Sequence, residues 1–207
     1  MVGEPRRTGV DYVLTADPEA AAGALDRIAP IYEAAYAGPP YNEGLDDFAD
    51  FRKSWPRRTA QPAFRLALAT ADDRVIGFAF GHGLTNDDWW DGAVDRLDVD
   101  TVERPGRTLA IIEIAVLADY RGGGVGRQLH DLVLNADYEE RATLLVRPEP
   151  EVESARRLYR SSGYRKVGQM IPYNGAPLYD VMVRVEHNRK AQRMVAETQW
   201  SQRHHAV

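Results

Sequence analysis

Residues Leu109-Ala-Ile-Ile-Glu-Ile-Ala-Val116 run straight through Leu117-Ala-Asp-Tyr into Arg121-Gly-Gly-Gly-Val-Gly126, and this stretch decides the fold. The first eight residues are apolar except for Glu113 and do not alternate. Such a run reads as a central strand buried on both faces. Val125, Leu129, Leu132, Val133 and Ala136 then follow at helical spacing. A strand that turns through glycines into a helix gathers unpaired backbone N–H groups at the positive end of the helix dipole. That arrangement holds phosphate without a side-chain cation, and glycine lets the backbone approach the ligand closely.

Working outward, Ala142–Val146 is a further buried strand. Residues 154–162 read as a helix packing through Ala155, Leu158 and Tyr159, with Gly163 placed for a left-handed cap. Residues 164–170 and 178–185 read as two closing strands. On the N-terminal side, residues 10–15 read as a strand. Asp17-Pro18 then opens a helix that keeps an apolar stripe to about residue 36, with Pro30 expected to kink or split it. Gly38-Pro39-Pro40-Tyr41-Asn42 is a stiff loop. Leu45, Phe48, Phe51 and Trp55 mark a second helix. Residues 64–70 and 74–83 form an antiparallel hairpin across Ala71-Asp72-Asp73. Residues 85–107 are polar, rich in Asp, and carry Trp89-Trp90; they read as an excursion from the core.

The chain has 207 residues, 44% of them apolar and 28% charged, with a net charge of −5. This fits one domain with a real core. It provides no basic stripe for nucleic acid and is poorly suited to an anionic membrane surface. Cysteine is absent, which excludes disulfides, thiolate metal sites, iron–sulfur clusters and a cysteine nucleophile. The N-terminus lacks the apolar stretch of a signal peptide, and no run is long enough to span a membrane, so a cytoplasmic location is expected. The domain is expected over residues 10–185, with a lead at 1–9 and a polar extension at 186–207.

The glycine turn can be tested against known phosphate loops. An NTPase loop needs Lys and then Ser or Thr after its last glycine, but Gly126 is followed by Arg127-Gln128. A dinucleotide fingerprint counted from Gly122 and Gly124 needs glycine where Arg127 stands. Arg121-x-x-Gly124-x-Gly126 after a central strand instead resembles the acyl-CoA loop of the GNAT superfamily of N-acetyltransferases. Ile114-Ala-Val-Leu-Ala-Asp-Tyr-Arg121 resembles that family's lead-in. Ala155-Arg-Arg-Leu-Tyr-Arg-Ser-Ser-Gly-Tyr164 resembles its later helix, in the same order and at the same separation. One position departs: Val152 stands where the family often has Asn, so Glu153 or Ser154 would have to replace its pantetheine contact.

The resemblance implies an α/β (α+β) domain with a mixed, mostly antiparallel central sheet flanked by helices, splayed near Val116. It implies acetyl-CoA as cosubstrate, no metal, and transfer of the acetyl group to a primary amine on a small molecule or peptide. It also implies that Ile114, Ala115 and Val116 offer backbone to the pantetheine arm. Residues Arg121, Gly122, Gly123, Gly124, Val125 and Gly126 would hold the pyrophosphate. The competing reading is a tight turn that packs a helix on a sheet.

Glu113 in a buried strand is costly unless paired or useful, and burial would raise its pKa toward that of a general base. The alternatives are an Arg partner or an exposed edge. By resemblance Tyr159 protonates the departing thiolate; otherwise it is a helix tyrosine on the core. Tyr41, Trp89 and Trp90 are candidate acceptor contacts, and the Asp residues of the excursion read as a solvated loop. His82 reads as a strand-end residue. His204 and His205 form no evident metal site. Without cysteine, direct attack in a ternary complex is expected. A non-catalytic acyl-CoA sensor or a nucleotide-binding domain would carry the same turn, and a homodimer is compatible with the sequence.

Overall fold

The computed structural model describes residues 9–134 and 139–185. The expected lead (apart from Gly9), Ala136 and the extension with His204 and His205 lie outside them. Seven strands form one sheet: β1 (Asp11–Thr15), β2 (Arg65–Ala71), β3 (Arg74–Gly83), β4 (Thr108–Val116), β5 (Arg141–Val146), β6 (Arg165–Met170) and β7 (Tyr179–Val185). Their order across the sheet is β1-β2-β3-β4-β5-β7-β6. Every pair is antiparallel except β4–β5. The β2–β3 hairpin closes on Asp72 and Asp73, both with positive φ, a conformation whose twist suits a two-residue hairpin.

Helices α1 (Pro18–Ala22), α2 (Leu25–Tyr36) and α3 (Leu45–Thr59) cover one face. Asp17 caps α1 through the N–H groups of Glu19 and Ala20. The chain breaks at Gly23-Ala24, not at Pro30, which lies inside an unbroken α2. Pro30 is exposed in the second helical turn, where only the Asp26 carbonyl loses its partner. The aromatic rings of Tyr32, Phe51, Trp55, Phe64, Phe78 and Phe80 pack this layer, and the Trp55 indole donates to the Ala21 carbonyl at 3.0 Å.

The opposite face is covered by α4 (Val125–Leu134), whose Val125, Leu129 and Val133 pack on Ala67, Ala69, Ile76, Leu109 and Ile111. α5 (Glu153–Ser161) joins β5 to β6 and ends as expected: Gly163 has φ +89°, and the Tyr164 N–H reaches back to the Tyr159 carbonyl at 3.0 Å. α5 packs on the core through Tyr159, as expected, but only shallowly. None of its residues is fully buried, and Ala155, Leu158 and Tyr159 stand half-open along a groove.

β4 and β5 pair only from Thr108–Arg141 to Ile111–Leu144. β4 continues to Val116 without β5 beside it, while β5 stays paired with β7 along its whole length, so the sheet splits from Ile112 onward. No described helix is long and apolar enough to cross a membrane.

Candidate active site

The split is coupled to a bulge in β4. Phe80 faces Glu113 and the next residue, Gly81, faces Ile111, so Ile112 is the extra residue. A bulge turns two successive side chains to one face. Leu109 and Ile111 accordingly point toward α4, whereas Ile112 and Ala115 pack on the opposite side, where Glu113 meets α2. Without the bulge Glu113 would have entered the α4 layer.

Glu113 Oε2 accepts a 2.7 Å hydrogen bond from the Tyr36 hydroxyl. Burial pushes the Glu113 carboxyl up to about 7, with the Tyr36 bond and the positive charge of Arg58 opposing that rise. The alternative reading of an Arg partner is not met: among the described residues no arginine forms an ion pair with it, and Arg58 acts only at longer range. Burial, and then the Glu113 charge, pushes the Tyr36 phenol well up. Glu43 faces the same cleft, and burial raises its carboxyl too.

The cleft has a volume of about 310 Å³ and is walled by aromatic residues. Tyr41 is one of them, edge-on to Tyr36 at 4.6 Å between ring centroids, with its phenol pushed up to about 12 by burial and then by Glu113. Trp89 is another. Trp90, the third candidate acceptor contact, does not line the cleft. It is buried between the excursion and β6–β7, donating from Nε1 to Glu103 Oε1 at 3.0 Å with the Arg141 guanidinium over its ring.

Glu103 ties that contact together. Its Oε1 also accepts from Thr108 Oγ1 at 2.9 Å and pairs with Arg141. Removing it strands a buried guanidinium, a change that typically costs about 3–5 kcal/mol. Glu103→Ala should therefore lower the thermal midpoint by about 10 °C. Glu140→Ala, in an exposed pair with Arg104, should change it by no more than about 2 °C. Circular-dichroism melts of the two variants check this. The acidic residues of the excursion are largely spoken for: Asp87 accepts the Glu103 N–H, Asp98 pairs with Arg165, and Asp100 pairs with Arg107.

The second concavity is the groove between the end of β4, the glycine turn and α5, about 510 Å³. Ile114, Val116, Arg121, Gly122, Gly124 and Gly126 line it; Ala115, Gly123 and Val125 do not, and Ala115 and Val125 are buried in the two core layers. The Leu117 N–H bonds the Ile76 carbonyl. By antiparallel alternation, the N–H and C=O groups of Ile114 and Val116 then point away from β3 into the split. Arg121 Nε donates to the Val116 carbonyl at 2.8 Å, which leaves the Val116 N–H and both groups of Ile114 open.

Gly122 and Gly124 adopt φ +77° and +89°, and a Cβ at either would meet no heavy atom within 4 Å. Among the described residues the N–H groups from Gly122 to Arg127 have no acceptor within the fold. At the variant position, Val152 is buried; Ser154 lines the groove, while Glu153 is paired with Arg156 and Arg160.

Groove and cleft meet. Ile114, Ala155 and Tyr159 line both. Burial, then the neighbouring Tyr41, raises the Tyr159 phenol, so it stays protonated at neutral pH. His82 lies outside both concavities, with Nδ1 3.2 Å from the Gly83 carbonyl oxygen. No group of three or more potential metal ligands occurs among the described residues. Sequence reading missed Tyr36, Glu43 and Arg58. Tyr32 and Tyr36 sat within an ordinary apolar stripe, and their one signal was a polar hydroxyl on a core-facing helix.

Residues 25–164 match the model of the GNAT acetyltransferase family, and the chain belongs to that family. Similar solved structures include the protein PH1933 from Pyrococcus horikoshii OT3, 21% identical with a TM-score of 0.58, covering 86% of this chain and 99% of that one. An acetyltransferase from Thermus thermophilus is 17% identical at TM-score 0.53, covering 86% and 97%. The PaiA N-acetyltransferase from Thermoplasma acidophilum, in complex with coenzyme A, is 11% identical at TM-score 0.52, covering 85% and 99%. At these identities the likeness shows the shared fold. No curated protein matches the sequence.

Proposed function

We propose that this chain transfers the acetyl group of acetyl-CoA to an amine by direct attack in a ternary complex. The observation that carries the reading is the meeting of the glycine-turn groove with the Glu113 cleft at Ile114 and Tyr159. The groove fits an acyl-CoA. Its free N–H groups at a helix N-terminus suit a pyrophosphate, the open backbone of Ile114 and Val116 suits an amide-bearing arm, and the half-open Leu158 and Ala155 suit its methylenes. When bound, the cosubstrate supplies an activated thioester carbonyl.

Glu113 takes the proton from the entering amine, directly or through water, and its pKa near 7 matches that task. The Val116 N–H steadies the developing negative charge on the carbonyl oxygen. Tyr159, held protonated, gives its proton to the departing sulfur. With no cysteine in the chain, a cysteinyl-acyl intermediate is excluded. Initial rates of thiol release with both substrates varied should give intersecting lines; parallel lines, the signature of a substituted enzyme, would overturn the ternary complex.

The turn itself can be probed separately. Gly124→Val imposes a side chain on a left-handed backbone and projects it into the groove. The affinity for acetyl-CoA, measured by calorimetry, should fall roughly tenfold or more. An unchanged affinity would return the turn to a purely structural role.

A further inference from the structure

Arg58, near the C-terminal end of α3, lines the acceptor cleft and is held in an unusual way for a surface-helix arginine. Its Nε donates to Ser54 Oγ at 2.9 Å, and its guanidinium carbon lies 5.7 Å from the Phe80 ring centroid and 6.0 Å from that of Phe51. The bond to Ser54 uses Nε and leaves the two terminal nitrogens without a hydrogen-bond partner among the described residues. Among the described residues no carboxylate lies within ion-pair distance of it. The other guanidinium of the cleft, Arg147, is already engaged by both oxygens of Glu149.

Facing Arg58 are groups of the opposite kind. Glu113 offers one oxygen beyond its bond to Tyr36, and Glu43 Oε2 is buried without a hydrogen-bond partner. The Trp89 Nε1 donor is likewise buried and unpartnered. Buried polar atoms left without partners are costly, so their arrangement describes the ligand that would satisfy them. The cleft therefore presents unpartnered donors on Arg58 and Trp89, together with one open oxygen on each of Glu43, whose carboxylate is otherwise held by Tyr32, and Glu113. A simple amine or a polyamine would satisfy the acceptors but set its own charge against a fixed guanidinium. A molecule that carries both an amino group and a carboxylate satisfies both.

Building on the acetyl-transfer reading above, we propose that the acceptor is a free amino acid, its carboxylate received by the Arg58 fork while its amino group faces Glu113. A planar guanidinium held in place suits bidentate carboxylate recognition, which the point charge of a lysine does not reproduce. The volume of about 310 Å³ suits one small molecule. The tyrosines and Trp89 around it suit an apolar or aromatic side chain.

The test uses the full chain with saturating acetyl-CoA and reads thiol release, to which a protein without cysteine contributes no background. Free amino acids are each compared with their own carboxamide and decarboxylated amine. The parent enzyme should favour the acid over both analogues by roughly 10- to 100-fold in kcat/KM. In Arg58→Met that preference should collapse toward unity, while Arg58→Lys should retain part of it. The KM for acetyl-CoA should stay within about twofold in both variants, which separates loss of recognition from loss of fold. Equal use of acids and analogues by the parent enzyme, or a preference that survives Arg58→Met, would overturn the proposal and leave acetyl transfer standing. Thiol release from no amine at all would overturn the transfer reading itself.

Discussion

Glu113→Gln should lower kcat by roughly 100- to 1,000-fold, the range in which a positioned base ordinarily contributes. The change keeps the shape of the side chain and its contact with Tyr36, so the loss isolates proton acceptance. The pH dependence is more telling than the magnitude. With the carboxyl near 7, the parent rate should rise as pH passes through that value and level off above it. The variant should lose that limb; if it kept the same limb, the base would lie elsewhere.

The same shift has a stability consequence of fixed sign. The folded carboxyl titrates near 7, above its ordinary value of 4.5. Its contribution is fully present below the ordinary value and is lost as pH rises through the folded one. Glu113→Gln should accordingly unfold at a higher temperature than its parent at about pH 8, and the difference should vanish near about pH 4. An active-site group that costs stability at the working pH is what a functional carboxylate predicts and a structural one does not.

Tyr159→Phe should reduce kcat by about 10- to 100-fold while the affinity for acetyl-CoA changes little. The effect is smaller than that at Glu113 because a thiolate, with an ordinary pKa near 8.5, leaves readily without a full proton transfer. The ring contacts of Tyr159 with His130 and Tyr164 do not need the hydroxyl, so the variant should melt with its parent. A fall in acetyl-CoA affinity with kcat preserved would make Tyr159 a wall of the groove and not a proton donor.

Much of the fold was legible because its signals are local. The glycine cap at Gly163, the Asp-Pro start of α1 and the unalternating apolar run of β4 each depend on a few neighbouring residues. The break at Gly23 was not legible: a proline within a helix announces itself more loudly than a glycine that ends one. The glycine-turn groove was largely readable as a concavity, since the turn declares itself through glycine. The Glu113 cleft was legible only in part: Glu113, Tyr41 and Trp89 were singled out, but Tyr36, Glu43 and Arg58 were not. Glu113 could be singled out as a charge inside an apolar strand, but which face it enters depends on the Ile112 bulge, set by pairing with β3. Glu43 and Arg58 are ordinary charged residues in a loop and at a helix end until α2 and α3 close over the split sheet. Trp89 and Trp90 are neighbours in sequence with opposite fates, decided by Glu103 and Arg141.

The most direct measurement is calorimetric titration of the purified chain with acetyl-CoA, with ATP and NAD as controls. Acetyl transfer through the glycine-turn groove predicts saturable binding of acetyl-CoA at one site per chain, and much weaker binding of either nucleotide. Absence of acetyl-CoA binding, or equal binding of ATP or NAD, would contradict it.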